Sequence, residues 1–370
     1  MTIAIDISQI VYQLGVSRYT EQLVKSLLAL DKKNRYVLYG GSLRQKDTLK
    51  AFLKQVDRPG IKKVVTNLSP ALVDLFWNRW QIVSPDHFTG RTDIFHASNW
   101  ALPPSGAQIV TTIHDLTFLK FPQAHTAKVV KAQTRHLKLA QKKAAKIIVD
   151  SVATKKDLLT YGIPEDKLAV VYLAPAEVFK PVNDKGEIRW VKAKYQLKGD
   201  YLLSVGTQEP RKNLARLIKA YQHHSGSELT LVIAGKFGWG DQVKPVKGIK
   251  LIGFVPDEDL SILYCGAKAL VYPSLYEGFG LPILEALASG CPVVTSTGSS
   301  LPELGGQAAF YADAKSPAKI ARAINQVLKL TPAQRRARIN LGFTQAQKFS
   351  WGKTARETLK IYHQVYAHRH

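Results

Sequence analysis

Acidic residues are scarce in this chain of 370: there are 28, against 52 lysines and arginines, and the formal charge is +24. The deficit is sharpest between Leu116 and Val149. No aspartate or glutamate occurs there, while Lys120, Lys128, Lys131, Arg135, Lys138, Lys142, Lys143 and Lys146 all do. Such an imbalance predicts attraction to some polyanion, whether nucleic acid, an anionic bilayer or phosphorylated ligands, without choosing among them. Cysteine is scarcer still. Cys265 and Cys291 form no CxxC pair and no zinc-like spacing, which excludes a disulfide framework and a thiolate metal centre and fits a reducing compartment. Long apolar runs are also missing: nothing approaches the ~18 residues of a spanning helix. The opening Met1-Thr2-Ile3-Ala4-Ile5-Asp6 alternates like a strand and lacks the basic-then-apolar form of a leader. The expected location is cytoplasmic, with a peripheral position at the inner face of the plasma membrane as the alternative. Zinc-finger spacing, RNP-like segments, low-complexity tracts and short repeats are absent too, so no nucleic-acid partner and no metal are expected.

What is present is ordinary globular material, 45% apolar and 9% aromatic. A single core stops growing at about 250–300 residues, so this length predicts two domains. Residues 2–8 read as a strand, 9–15 as a loop, 16–30 as a helix with Tyr19, Leu23, Leu27 and Leu30 on one face, and 35–39 as a second strand, a βαβ opening. Further apolar runs at Ile94-Phe95-His96, Ile109–Ile113 and Ile147-Ile148-Val149 alternate with helical patterns, as a parallel sheet covered on both faces requires. The pattern lapses over 174–190, a polar stretch with Pro175, Pro181 and Gly186 that reads as a linker. It restarts at Tyr201–Val205 and continues through Leu229–Ala234, Lys250–Ile252, Ala269–Tyr272 and Pro292–Thr295. The expected division is an N-terminal domain over 1–180 and a C-terminal domain over 190–350. In open α/β sheets ligands bind beyond the carboxyl ends of the strands, so two facing domains would form one cleft.

Two strand-to-helix loops in the second half carry the most chemistry. In Tyr272-Pro273-Ser274-Leu275-Tyr276-Glu277-Gly278-Phe279-Gly280-Leu281-Pro282-Ile283-Leu284-Glu285, Pro282 suits a first helical turn and the glycines admit a ligand close to backbone. Free N–H groups at the helix start favour a diphosphate, and Glu277 and Glu285 could accept from sugar or ribose hydroxyls. Read alone, the glutamates could equally complement the helix dipole. The loop Gly206-Thr207-Gln208-Glu209-Pro210-Arg211-Lys212-Asn213 offers paired cations for a leaving phosphate, although isolated surface cations are usually only solvated.

Together these loops resemble the GT4 family of retaining GT-B glycosyltransferases. Glu277 and Glu285 match its E-x7-E signature, and Tyr272–Glu285 follows its pattern nearly throughout. Gly206–Asn213 resembles its phosphate loop, and Gly253-Phe254-Val255-Pro256 and Ser299-Ser300-Leu301-Pro302-Glu303 resemble further parts of it. The resemblance implies an α/β GT-B fold, two facing Rossmann-like domains with parallel sheets and an interdomain cleft, closing on donor binding, with a terminal helix over 351–370 crossing back onto the first domain. It implies that Glu285 holds the nucleotide ribose, Glu277 the donor sugar and Arg211 and Lys212 the diphosphate. Gly253 and Phe254 would edge the base, and Gly206, Gly278, Phe279 and Gly280 would approach phosphate.

In the first half, Thr112-Ile113-His114-Asp115-Leu116 resembles the family's HD loop, which makes His114 a sugar-contacting residue with Asp115 orienting it. Gly15 resembles a glycine-rich loop facing phosphate or acceptor, with Leu14 where the family often has a second glycine. His96, Ser98 and Asn99 are a weaker acceptor wall. With no obvious carboxylate nucleophile, the expectation is a metal-independent, same-face displacement assisted by cations and helix N–H groups. The text Glu-Pro-Arg-Lys-Asn and His-Asp-Leu-Thr-Phe resembles bacterial mannosyltransferases of polysaccharide assembly, which points to GDP-mannose, with UDP-glucose and dTDP-rhamnose as alternatives, and to a saccharide or lipid-linked acceptor. No cofactor beyond that substrate is implied. The basic stretch 116–149 reads either as a docking face for anionic lipid or as a solvated helix. The rival classes are a nucleic-acid-binding protein and a sugar-binding relative without catalysis, and neither accounts for the intact pair of loops.

Overall fold

The structure is a computed structural model that describes residues 1–12, 15–223, 229–239 and 247–368. It divides into two compact units, Met1–Leu173 together with the chain from Trp351, and Ala174–Ser350. Among the described residues no helix is long and apolar enough to cross a membrane.

The first unit holds seven strands: β1 (Thr2–Asp6), β2 (Arg35–Gly41), β3 (Ile61–Thr66), β4 (Ile94–Ala97), β5 (Gln108–Ile113), β6 (Lys146–Val149) and β7 (Leu168–Val170). They pair in the order β3-β2-β1-β4-β5-β6-β7, every pair parallel. Short runs rich in Ile, Val and Phe suit this arrangement, since the central strands are covered on both faces. The edge strand β3 is only half-buried and carries Lys62 and Lys63, which discourages pairing with another chain. Phe95, Trp77, Tyr39, Leu137 and Ile147 are among the side chains that fill one face.

The helix Gly15–Leu30 buries Tyr19, Leu23 and Leu27, as its periodicity predicts, although Leu30 is exposed. Residues 9–15 depart from the expected loop: Ser8–Tyr12 forms a 3-10 turn, and Gln13 and Leu14 lie outside the described residues. The helix Trp351–Ala367 belongs to this unit. It buries Ala355, Ile361 and Tyr362 and is tied down where Thr354 Oγ1 donates to the Tyr172 carbonyl at 2.7 Å.

The second unit holds β8 (Tyr201–Val205), β9 (Thr230–Ala234), β10 (Ile249–Gly253), β11 (Ala269–Tyr272), β12 (Val293–Ser296) and β13 (Phe310–Ala312), in the order β10-β9-β8-β11-β12-β13 and again wholly parallel. The linker expected over 174–190 is shorter than its composition suggests, because a helix starts at Lys185 and runs to Lys194. Asp184 caps it by accepting from the Gly186 N–H at 2.6 Å, and fully buried Val191 anchors it, so local polarity concealed a capped helix. Both units are Rossmann-like α/β layers.

Candidate functional site

In the second unit β8 and β11 are neighbours, with Leu203 opposite Leu270. Parallel neighbours end side by side, so the loop after Val205 and the loop after Tyr272 emerge together. The backbones meet where the Leu275 N–H donates to the Arg211 carbonyl at 2.9 Å. The side chains close the join. Arg211 donates to the Tyr276 carbonyl at 2.8 Å and to Glu277, and its other terminal nitrogen bonds Glu209. Lys212 Nζ donates to Glu277 Oε1 at 2.7 Å and to Tyr272 Oη at 2.6 Å, while Tyr272 Oη donates to the same Glu277 oxygen at 2.8 Å. Asn213, held in the left-handed region at φ +63°, reaches the carbonyls of Pro273 at 3.0 Å and Ala314 at 2.7 Å.

Burial of Glu277 would by itself raise its pKa, but the charges of Arg211 and Lys212 outweigh that and hold the carboxyl down at about 2. Lys212 moves the other way: burial lowers its pKa despite Glu277 beside it. The glutamate backbone is fixed as well. Its N–H donates to Ser299 Oγ at 3.0 Å and its carbonyl accepts from Ser300 Oγ at 3.0 Å. Gly206 has φ +138°, and a Cβ there would meet Lys212 Cε at 3.2 Å, so glycine leaves room for the lysine stem. Gly280 precedes the helix Leu281–Ala288 at φ +113°, where a Cβ would lie 2.8 Å from Leu301 Cδ2.

Glu277, Arg211 and Lys212 are thus brought into one hydrogen-bonded cluster, whereas Glu285 has its own partner, accepting from Tyr264 Oη at 3.2 Å. Gly278 and Phe279 are buried in the turn, the Phe279 ring standing 6.2 Å from that of Phe349. Gly253 ends β10, and Phe254 after it is 64% exposed with Lys236 Nζ 5.0 Å from its ring centre.

The first unit assembles a second polar group by the same logic. Ile113 of β5 lies opposite Val149 of β6, so the residues that follow, His114 and Asp150, face each other. His114 Nδ1–H donates to Asp150 Oδ2 at 2.6 Å, and Tyr19 packs edge-on with ring centroids 4.8 Å apart. Burial lowers the imidazole pKa, but the Asp150 charge, the hydrogen bond to it and the Asp115 charge together more than offset this, and the net direction is upward. His114 Nε2 and Asp150 Oδ1 are buried with no hydrogen-bond partner among the described residues. This corrects the role expected for Asp115, whose Oδ1 accepts from Thr117 N at 2.8 Å and Thr117 Oγ1 at 2.6 Å and so caps the next turn instead of orienting His114. Sequence reasoning missed Asp150. It is the first acidic residue after the acid-free stretch and directly follows an apolar strand, a signal that was available.

His96 is an internal tie: one ring nitrogen meets Tyr362 Oη at 2.5 Å and the other Thr112 Oγ1 at 2.9 Å. Burial pushes its pKa down to about 3, so it stays neutral. Ser98 is buried, and Asn99 Oδ1 is buried without a hydrogen-bond partner among the described residues. Gly15 begins its helix with open space beside its Cα. No group of three or more His, Cys, Asp or Glu suited to a metal ion occurs among the described residues.

Comparison with known proteins agrees across both halves. Residues 184–341 match the family described as Glycosyl transferases group 1, and residues 14–174 match Glycosyltransferase Family 4. O-antigen chain mannosyltransferase B of Escherichia coli is 36% identical over 282 residues, covering 73% of this chain and 74% of that one. The serotype-specific mannosyltransferase WbdA of Escherichia coli is 31% identical over 59% of this chain, a match spanning 29% of that longer protein. Among solved structures, HepE of Anabaena in complex with UDP and glucose superposes with a TM-score of 0.72 over 98% of this chain and 100% of that chain; at 16% identity this shows a shared GT-B fold.

Proposed function

Because this chain belongs to the group 1 glycosyl transferases of family 4, retaining hexosyltransferases that use nucleotide sugars, we propose that it moves mannose from GDP-mannose, with retention, to a saccharide or lipid-linked saccharide acceptor. The observation that carries this reading is the cluster of buried Glu277 with part-buried Arg211 and Lys212 at the carboxyl edge of the second sheet. Mannose is favoured because relatives over both long and short alignments are named mannosyltransferases.

In this scheme Glu277, kept ionised by its two cations, accepts from hydroxyls of the donor sugar. Lys212 has a third ammonium hydrogen to offer the diphosphate, while Arg211, engaged with Glu209, Glu277 and Tyr276, adds charge and holds the two loops together. The bond from the anomeric carbon to the phosphate oxygen breaks, and its electron pair leaves with the nucleoside diphosphate. The acceptor oxygen bonds that carbon from the same face, and the acceptor proton passes to the departing phosphate. Charge growing on the phosphate is met by Lys212 and by N–H groups at the start of Leu281–Ala288. Glu285 takes the ribose, Phe254 the edge of the base, and His114 a hydroxyl of the reacting sugar.

The test is thermal stability against GDP-, UDP- and dTDP-sugars, for the protein and for Glu285→Ala. A ligand at a hundred times its Kd stabilises by about 2.7 kcal/mol. A shift selective for GDP-mannose and lost in the variant is expected. A selective shift with a UDP- or dTDP-sugar replaces the donor and keeps the enzyme class, and no shift with any nucleotide sinks the donor site.

A further inference from the structure

The eight cations between Leu116 and Val149 divide into two sets. Lys120 pairs with Asp157 at 2.5 Å, Arg135 with Asp74 at 3.1 Å, Lys143 with Gln81 and Lys146 with the Asp166 carbonyl. Lys128, Lys131, Lys138 and Lys142 are exposed and have no acidic partner among the described residues. All four lie on the helix Ala127–Lys143, and the spacing 128, 131, 135, 138, 142 places them with Arg135 on one stripe. His136, Leu137 and Ala140 occupy the opposite, buried side.

A second element borders this helix. The segment Pro70–Ile82 is fastened to it twice, by Asp74 to Arg135 and by Gln81 to Lys143. Within eleven residues of chain it exposes Leu72 (40%), Trp80 (58%) and Ile82 (47%). The composition of the basic stretch does not disclose this neighbour, which lies forty and more residues earlier in the chain.

We propose that this face, the lysine stripe of Ala127–Lys143 with Leu72, Trp80 and Ile82 beside it, docks the enzyme on an anionic bilayer surface. Lysines without an acidic partner among the described residues meet lipid phosphates, a tryptophan settles at headgroup level, and aliphatic side chains enter the acyl boundary. A polynucleotide would satisfy the lysines and leave Leu72 and Ile82 without a role, so the combination favours lipid. The inference goes beyond the donor reading and does not rest on it.

The test is co-sedimentation with vesicles of phosphatidylcholine plus phosphatidylglycerol, against phosphatidylcholine alone. The protein is expected to bind the anionic vesicles only, less as salt rises, with a blue shift in emission that Trp80→Phe abolishes. The combined variant Lys128→Glu, Lys131→Glu, Lys138→Glu, Lys142→Glu should bind at least tenfold more weakly, and Trp80→Ser several-fold more weakly. Both should keep the parent melting temperature and the parent response to donor, which separates this result from failure of the donor site. Binding that ignores lipid charge, or that survives the four reversals, overturns the proposal. So does binding lost in the fourfold variant but unchanged in Trp80→Ser and displaced by oligonucleotide, which would assign the lysines to nucleic acid.

Discussion

The two polar groups at the strand ends of this protein are built by one device and finished differently. In the second unit, Glu277 is heavily engaged: two cations and a tyrosine hold its carboxylate and two serine hydroxyls its backbone, and of the roughly four lone-pair sites of a carboxylate one is left on Oε2 for a ligand. In the first, His114 and Asp150 satisfy each other once and leave a nitrogen and an oxygen without a hydrogen-bond partner among the described residues. The first cluster is arranged to keep a fixed charge distribution at low dielectric. The second keeps an acceptor nitrogen and a carboxylate oxygen available to a bound molecule. A charge network costs most when broken, whereas an open pair is most sensitive to what sets its protonation.

Breaking this charged cluster should have the largest effect. Glu277→Ala takes the shared counter-charge from part-buried Arg211 and Lys212, and an unfolding titration should register a loss of about 3–5 kcal/mol, with kcat falling by about 10²–10³. Its folded pKa of about 2 lies below the ordinary 4.5, so its contribution to stability is complete above about pH 4.5 and disappears as pH falls towards 2. Melting temperatures across that window should slope less steeply in Glu277→Gln, and an unchanged slope would deny the cluster its electrostatic role.

The open pair sharpens the contrast. His114 Nε2 accepts a hydrogen bond only while the ring is neutral, so activity should fall as pH drops through its raised pKa. Asp150→Asn removes the larger of the two charges that raise it, which should move the acid limb of kcat/KM to lower pH and cost about tenfold in rate. A limb that stays in place would show Asp150 to be packing alone. The smallest effect belongs to exposed Phe254: Phe254→Ala should leave stability within about 0.5 kcal/mol while raising KM for the donor, as kinetics at saturating acceptor would reveal.

Local pattern made much of this legible. Alternating apolar runs marked most strands of both sheets, and Tyr272–Glu285 stood out because glycines, a helix-starting proline and two glutamates share one short strand-to-helix turn. Composition failed where context overrode it. The polar stretch 174–190 reads as linker although Asp184 caps a helix within it, and Asp115, adjacent in sequence to His114, is expected to perform a task that the structure gives to Asp150.

The sequence by itself determined most of the strands of both sheets, the loops that hold chemistry and the family, because each is written within a few consecutive residues. Tertiary structure alone decided the partners. Parallel pairing sets β8 beside β11 and β5 beside β6, so strand ends distant in the chain emerge at neighbouring positions. That registry joins Lys212 to Glu277, His114 to Asp150 and, through packing beside the sheet, Trp80's segment to the lysine helix.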